Sequence, residues 1–306
     1  MLETLKALAD PSRLRLVAVL ARGEFTVQEL TAILGMGQSR ISRHLKILTD
    51  AGILAVQRQG TWAYYRLAGD NRFFVAIRTV VEEHLAELPE RPADLDGLGR
   101  VMEARRRRSQ EFFDRHARQW DALAREALPT AEYLARLLES IPPCDTLLEV
   151  GLGTGGLLAH LRERANRVVG VDHSPAMIDE ARGRIAAEGL AGVELRLGEM
   201  SHLPLPDGEC DVALLNMVLH HAARPVEVLN ELNRVLVRRG TLLIADLTAH
   251  RRDWVRERLA DQWLGFESAE LSRWLSSCGF AVQEHSVVEA KGEALEVFIL
   301  RARKVG

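Results

Sequence analysis

Apolar positions fall into two regimes along the 306-residue chain. Up to about residue 90 they recur three and four apart in short stretches cut by glycine, the period of amphipathic helices. From residue 146 onward, apolar runs alternate with amphipathic stretches, as strands and helices do when they follow one another along a chain.

In the first regime Asp10-Pro11 opens a helix over 11–21, with Pro11 in the first turn, where its missing N–H does no harm. Thr26 and Glu29 make a capping box for a helix ending near Leu34. Gly35-Met36-Gly37 then turns into a helix over 38–50 that stops at Ala51-Gly52. Two short helices about a glycine turn form a helix-turn-helix. Alternating runs at 53–58 and 61–66, joined at Gln59-Gly60, make a hairpin, or wing. A helix over 71–88 carries Phe74, Ile77, Val81 and Leu85 at helical spacing, a stripe suited to a two-fold dimer or to packing within one chain.

In the second regime the pattern predicts strands at 146–150, 167–171, 193–197, 212–216 and 241–245. Helices fall at 156–165, 175–188, 225–237 and 269–277, and strands at 280–287 and 295–303 close the chain as an antiparallel edge hairpin. Repeated strand–helix units imply a parallel, doubly wound sheet. The fold class is therefore an α+β winged helix followed by an α/β doubly wound, Rossmann-like domain of seven strands. Between the regimes, Leu88-Pro-Glu-Arg-Pro-Ala-Asp-Leu-Asp-Gly-Leu98 lacks periodicity and reads as a linker. Expected domains are 1–88 and 101–306, joined by 89–100. One long helix is expected to carry the solvated run Arg105 to Arg108 and the aromatics Phe112, Phe113 and Trp120.

With 47% hydrophobic and 27% charged residues, the chain has the makeup of an ordinary soluble protein. Its net charge of -3 argues against wholesale coating of nucleic acid, so charge is informative only locally. Between Met36 and Arg66 stand Arg40, Arg43, Lys46, Arg58 and Arg66 against the single acid Asp50. On the second helix Ile41, Leu45 and Leu48 share one face. Gln38, Ser39, Arg40, Ser42, Arg43 and His44 are left for a DNA groove, with Arg58 on the wing. No signal peptide or membrane span is read, and a cytoplasmic setting is expected. Cys144, Cys210 and Cys278 lie too far apart in sequence to suggest a disulfide framework or a zinc cage, and no metal site is assigned.

Chemistry gathers at Thr146-Leu-Leu-Glu-Val-Gly-Leu-Gly-Thr-Gly-Gly156, a strand running into a glycine turn that lets backbone approach a ligand. Asp172 follows the next strand, where a carboxylate accepts hydrogen bonds from ribose hydroxyls. The same spacing serves an NAD-binding fold, and an acid there also serves as a helix cap.

The run Gln38-Ser-Arg-Ile-Ser-Arg-His-Leu-Lys-Ile-Leu-Thr-Asp-Ala-Gly-Ile53 resembles the ArsR family of winged-helix repressors. The resemblance implies a homodimer reading a palindromic double-stranded operator. Where many members carry a metal-sensing Cys-Val-Cys, this chain has Thr26-Val27-Gln28, so that site is missing. His84-Leu-Ala-Glu87 matches half of a second family metal site, but its partner positions hold Asn71 and Phe73.

Residues 100–306 resemble the class I S-adenosylmethionine-dependent methyltransferases. The likeness rests on Glu149 two places before the first glycine and on the loop Gly198-Glu-Met-Ser-His-Leu-Pro-Leu-Pro-Asp-Gly-Glu-Cys-Asp211. It implies S-adenosylhomocysteine or S-adenosylmethionine as ligand, beside Glu149, Gly151, Gly153, Gly155, Asp172, His173, Met177, Glu199, Met200 and Asn216. The family more often has Asp at position 199. Phe112-Phe113-Asp114 with Trp120-Asp121 looks like the lid segment of such domains. His221 is the candidate general base, with a structural role for the His220–His221 pair as the alternative. Motifs for amino-directed DNA, cytosine-C5 and arsenic methylation do not match. The fusion resembles ArsR-type regulators of the methionine cycle that respond to S-adenosylhomocysteine. It implies a repressor with an adenosyl effector, the alternative being an active small-molecule methyltransferase.

Overall fold

The structure, a computed structural model, describes residues 1–59, 62–68, 71–85, 88–127, 130–252, 254–288 and 294–306. It divides into two compact units, Met1–Arg107 and Arg108–Gly306.

The first unit opens with α1 (Leu2–Leu8) and α2 (Pro11–Leu20), followed by β1 (Phe25–Thr26), α3 (Val27–Leu34) and α4 (Gln38–Asp50). The hairpin β2 (Leu54–Gln59) and β3 (Trp62–Leu67) leads to α5 (Arg72–Leu85), and α6 (Arg91–His116) begins in this unit. The capping box forms: Thr26 Oγ1 accepts from the Glu29 N–H at 3.3 Å, and the Thr26 N–H donates to Glu29 Oε2 at 2.9 Å. Gly35 ends α3 in the left-handed conformation, φ 64°, which its missing side chain makes cheap. Phe25, Leu16, Leu30, Ile41, Leu45 and Leu48 are fully buried in the core of this unit. Two elements have no precedent in the sequence pattern, α1 and the two-residue β1 that pairs with Tyr64 and Tyr65 of β3.

The expected linker at 89–100 is instead the start of α6. Pro92 occupies the first turn, Asp94 accepts from Arg15 Nε at 2.8 Å and Nη2 at 2.5 Å, and Leu98 is buried. A Cβ on Gly97 would stand 2.4 Å from the Ile33 carbonyl oxygen, so α6 meets α3 backbone to backbone at that glycine. One acid, one glycine and one leucine make this contact, and such a contact leaves no apolar stripe to read.

In the second unit the expected single helix is interrupted. After α6 comes a 3₁₀ turn, Ala117–Gln119, then α7 (Trp120–Ala127) and α8 (Thr130–Ser140). The sheet unit follows: β4 (Cys144–Val150), α9 (Leu158–Arg162), β5 (Ala165–Asp172), α10 (Pro175–Glu188), β6 (Val193–Leu197), β7 (Cys210–Asn216), α11 (Pro225–Val235) and β8 (Leu236–Leu247). It closes with α12 (Trp254–Arg258), α13 (Ser268–Ser277), β9 (Phe280–Val288) and β10 (Val297–Lys304). The seven strands lie in the order β6-β5-β4-β7-β8-β10-β9. β10 is inserted antiparallel between β8 and β9, so of this pair β9 alone lies at the sheet edge and the expected edge hairpin is half internal.

The winding reverses between β4 and β7, and open α/β sheets hold ligands beyond the strand ends at such a point. Gly151, Asp172 and Asn216, at the ends of β4, β5 and β7, stand there. No helix among the described residues is long and apolar enough to cross a membrane.

Candidate functional site

In the first unit Gln38, Ser39, Arg40, Ser42 and Arg43 are exposed along the start of α4. Arg40 Nη2 donates to Ser12 Oγ at 2.8 Å, which engages one corner of its guanidinium. His44 is a correction: it is only 8% exposed and turns inward. It lies three residues after Ile41 and four before Leu48, within the face those residues bury. Burial pushes its pKa down, and Arg13, Arg40 and Arg43 push the same way against Asp10. Arg58 pairs with Ala63 across the wing, while its side chain, like Gly60, Glu87 and the His84 side chain, lies outside the described residues. The Thr26 hydroxyl that stands in the family's metal position is occupied as a helix cap.

In the second unit a cavity of about 270 Å³ opens at the switch point. Its floor is the glycine turn. Gly151 has φ 68°, and a Cβ there would stand 2.2 Å from a Val218 methyl, so only glycine fits. Asp172 pins the turn: Oδ2 accepts from the Gly153 N–H and Oδ1 from the Ser174 N–H, each at 2.9 Å. The Gly153 amide is thus turned to Asp172.

Glu149, Gly151, Gly153, Asp172, His173, Met177, Met200, Asn216 and His221 line the cavity, and Gly155 and Glu199 do not. A Cβ on Gly155 would meet Leu158 at 2.7 Å and Ala181 at 3.2 Å, so this glycine serves packing. Glu199 instead bridges to His202 in its own loop.

The polar atoms of the lining are unequal. Glu149 Oε2, Asn216 Oδ1 and His173 Nε2 are buried with no hydrogen-bond partner among the described residues. Burial, helped by the neighbouring Asp172 carboxylate, pushes the Glu149 carboxyl up to about 8, leaving it protonated at neutral pH. Burial works against charge on His173, but its contact with Asp172 outweighs that and raises its pKa.

The roof is aromatic. Phe113 packs edge-on against Trp120, His173 and His221, with ring centroids 5.0, 5.7 and 5.0 Å apart. Asp114 accepts from Ser174 Oγ at 2.5 Å, and Asp121 accepts from Thr154 Oγ1 at 2.6 Å and Arg184 Nη2 at 2.7 Å. These bonds pin the lid segment to loops of the sheet.

At the far wall the two histidines differ. Burial opposes charge on His220, but the Asp246 and Asp261 carboxylates and the hydrogen bond from Nδ1 to Asp246 Oδ1, 2.7 Å, prevail and push its pKa up to about 9. His221 is pushed well below the usual value by burial and by His220 beside it. Sequence reasoning missed Tyr133, Arg184, Asp246 and Asp261. Only Asp246 left a signal, a carboxylate inside the apolar run of β8.

Known proteins resemble the two units separately. The model of the bacterial regulatory protein arsR family matches residues 10–56, and that of the methyltransferase domain matches residues 148–244. The arsenic resistance transcriptional regulator ArsR1 of Pseudomonas putida is 42% identical over 100 residues, which are 28% of this chain and 78% of that protein. Malonyl-[acyl-carrier protein] O-methyltransferase of Serratia marcescens is 33% identical over 151 residues, 49% of this chain and 55% of that protein. The [4+2]-cyclase SpnF shares the fold at 19% identity and a TM-score of 0.54, over 64% of this chain and 95% of its own. The chain spans 28 to 55% of the length of the first four curated relatives it matches. The chain belongs to the ArsR family of bacterial regulatory proteins, and its regulator domain is fused to a methyltransferase domain.

Proposed function

We propose that the chain is a DNA-binding transcriptional repressor whose second unit binds S-adenosylhomocysteine or S-adenosylmethionine as an effector. The observation that carries this reading is the cavity at the switch point, with orphaned buried acceptors on Glu149 and Asn216. An adenosyl ligand offers the matching donors, in ribose hydroxyls, an adenine amino group and a cationic α-ammonium. Asp172, held at the end of β5, would take the ribose. The unpartnered Glu149 carboxyl would hydrogen-bond the ammonium, and the ring faces of Phe113 and Trp120 would exclude water.

The exposed Gln38, Ser39, Arg40, Ser42 and Arg43 are the residues we assign to an operator, and two copies would read a palindrome. The helix Arg91–His116 contributes Arg105 to the first unit, where it grips Glu29 of the α3 capping box at 2.8 and 2.7 Å. It also contributes Phe113 and Asp114 to the pocket of the second. Ligand would act by favouring one setting of this helix, and must bind the DNA-competent and incompetent states unequally. Gel-shift titration of operator DNA should show a shifted midpoint at saturating ligand. An unchanged midpoint with both adenosyl ligands would overturn the reading.

A second reading, a small-molecule methyltransferase, is favoured by the place of His221 on the cavity wall beside Phe113, where a base could face an acceptor. Turnover of labelled cofactor on a metabolite panel, abolished in His221→Ala with ligand binding intact, would establish it.

A further inference from the structure

The geometry points to a site for one divalent first-row transition metal ion, Zn²⁺ or Co²⁺ in chemistry, at His220, His221 and Asp261. All three side chains are buried, and one ligand atom from each lies within 4.8 Å of the others. Asp261 Oδ1 stands 3.5 Å from His220 Nε2 and 3.8 Å from His221 Nδ1. An N–H···O hydrogen bond would bring such atoms to about 2.7–3.2 Å. Around an ion bonded at about 2.0–2.2 Å, ligand atoms in a tetrahedron stand roughly 3.4 Å apart. The two spacings to Asp261 need a contraction of at most a few tenths of an ångström to close on an ion, and the ligand atoms of the two histidines stand within 4.8 Å of each other.

The surroundings are those of a metal ligand set. His220 donates its Nδ1–H to Asp246 Oδ1 at 2.7 Å, which leaves Nε2 as the atom facing Asp261. A carboxylate behind a histidine in this way fixes the ring and its tautomer for a metal. Asp246 and Asp261 bring two buried carboxylates to one histidine pair, and a dication balances both. His221 Nδ1 has only a long 3.4 Å approach to the Ala260 carbonyl, which it gives up when its proton sits on Nε2.

The segment bearing Asp261 is fixed in place. Ala260 is held in the left-handed region at φ 60°, a conformation that a residue with a Cβ adopts only under constraint. The N–H groups of Gln262 and Trp263 both donate to the His220 carbonyl, at 3.0 and 2.9 Å, and Gln262 Nε2 donates to the His221 carbonyl at 2.9 Å. The strained residue and these three bonds seat the carboxylate against the histidines. Two imidazoles and one carboxylate select Zn²⁺, Fe²⁺ or Co²⁺ over Mg²⁺ or Ca²⁺. Since all three residues line the cavity, the ion would present its remaining positions to water or to an anionic oxygen of the occupant. Ion binding at these three residues needs no adenosyl ligand.

The test uses the full chain, treated with chelator and titrated with Co²⁺ without any adenosyl ligand. One equivalent should produce visible d–d absorption and be displaced by Zn²⁺, and equilibrium dialysis should find one Zn²⁺ per chain. Asp261→Asn and His221→Gln should abolish that equivalent, and Asp246→Asn should weaken it by about 10- to 100-fold. Absence of a stoichiometric Co²⁺ spectrum in the wild-type chain overturns the proposal, and this readout requires no variant to fold. Undiminished binding by folded Asp261→Asn and His221→Gln overturns it too, since the ion would then sit on other histidines.

Discussion

Glu149 and Asp172 lie on adjoining strand ends and do opposite things. Asp172 has two backbone N–H groups to hold, so Asp172→Ala orphans both and loosens the glycine turn. Calorimetry with S-adenosylhomocysteine should show affinity reduced by about 10-fold or more, the loss of one charge-assisted hydrogen bond. Unchanged affinity would remove Asp172 from the site. Glu149 is held protonated. Its folded pKa of about 8 lies above its ordinary 4.5, so the native chain keeps a proton that the unfolded chain releases in this window. Its contribution to stability is complete below pH 4.5 and is lost as pH rises through 8. Denaturant midpoints measured across the window should fall with rising pH, and Glu149→Gln should flatten the fall; equal slopes would contradict the assignment. Both acids are legible in the sequence, because a turn and a strand end announce themselves locally. His44 reads as a groove residue from sequence because the buried face of α4 is wider than the stripe Ile41, Leu45 and Leu48 defines. Asp261 leaves no trace, since the histidine pair it faces stands far away in the chain.

At the scale of elements, the same limit explains α6. Helices and strands with their own periodicity are legible to within a few residues, the capping box at Thr26 and Glu29 among them. The start of α6 reads as a linker because its stability comes from contacts with α2 and α3. Two glycines in α6 test that explanation against each other. Gly97 abuts the Ile33 backbone, so Gly97→Ala should cost about 1–3 kcal/mol by overpacking. Gly99 has nothing within 4 Å of the place a Cβ would take, so Gly99→Ala should stabilise by about 0.5–1 kcal/mol through helix propensity. Urea denaturation midpoints of the two variants should move in opposite directions. Equal shifts would mean that α6 does not pack on α3 at Gly97. The order of β9 and β10 is likewise beyond local pattern, since a strand's neighbours are set by topology and not by its own residues.

For the molecule as a whole, the proposed reading joins an operator-reading unit to an adenosyl-binding unit and makes the second the sensor for the first. A coupling of roughly 1–3 kcal/mol, or about 5- to 150-fold in affinity, is the ordinary size of such control. Linkage is reciprocal, so it can be read from the ligand's side. The most direct measurement is calorimetry of S-adenosylhomocysteine binding to the full chain, with and without saturating operator DNA. Two affinities that differ by about 5- to 150-fold are expected. Binding of equal affinity in both titrations would contradict the coupling, leaving a pocket that holds its ligand without reporting it to DNA.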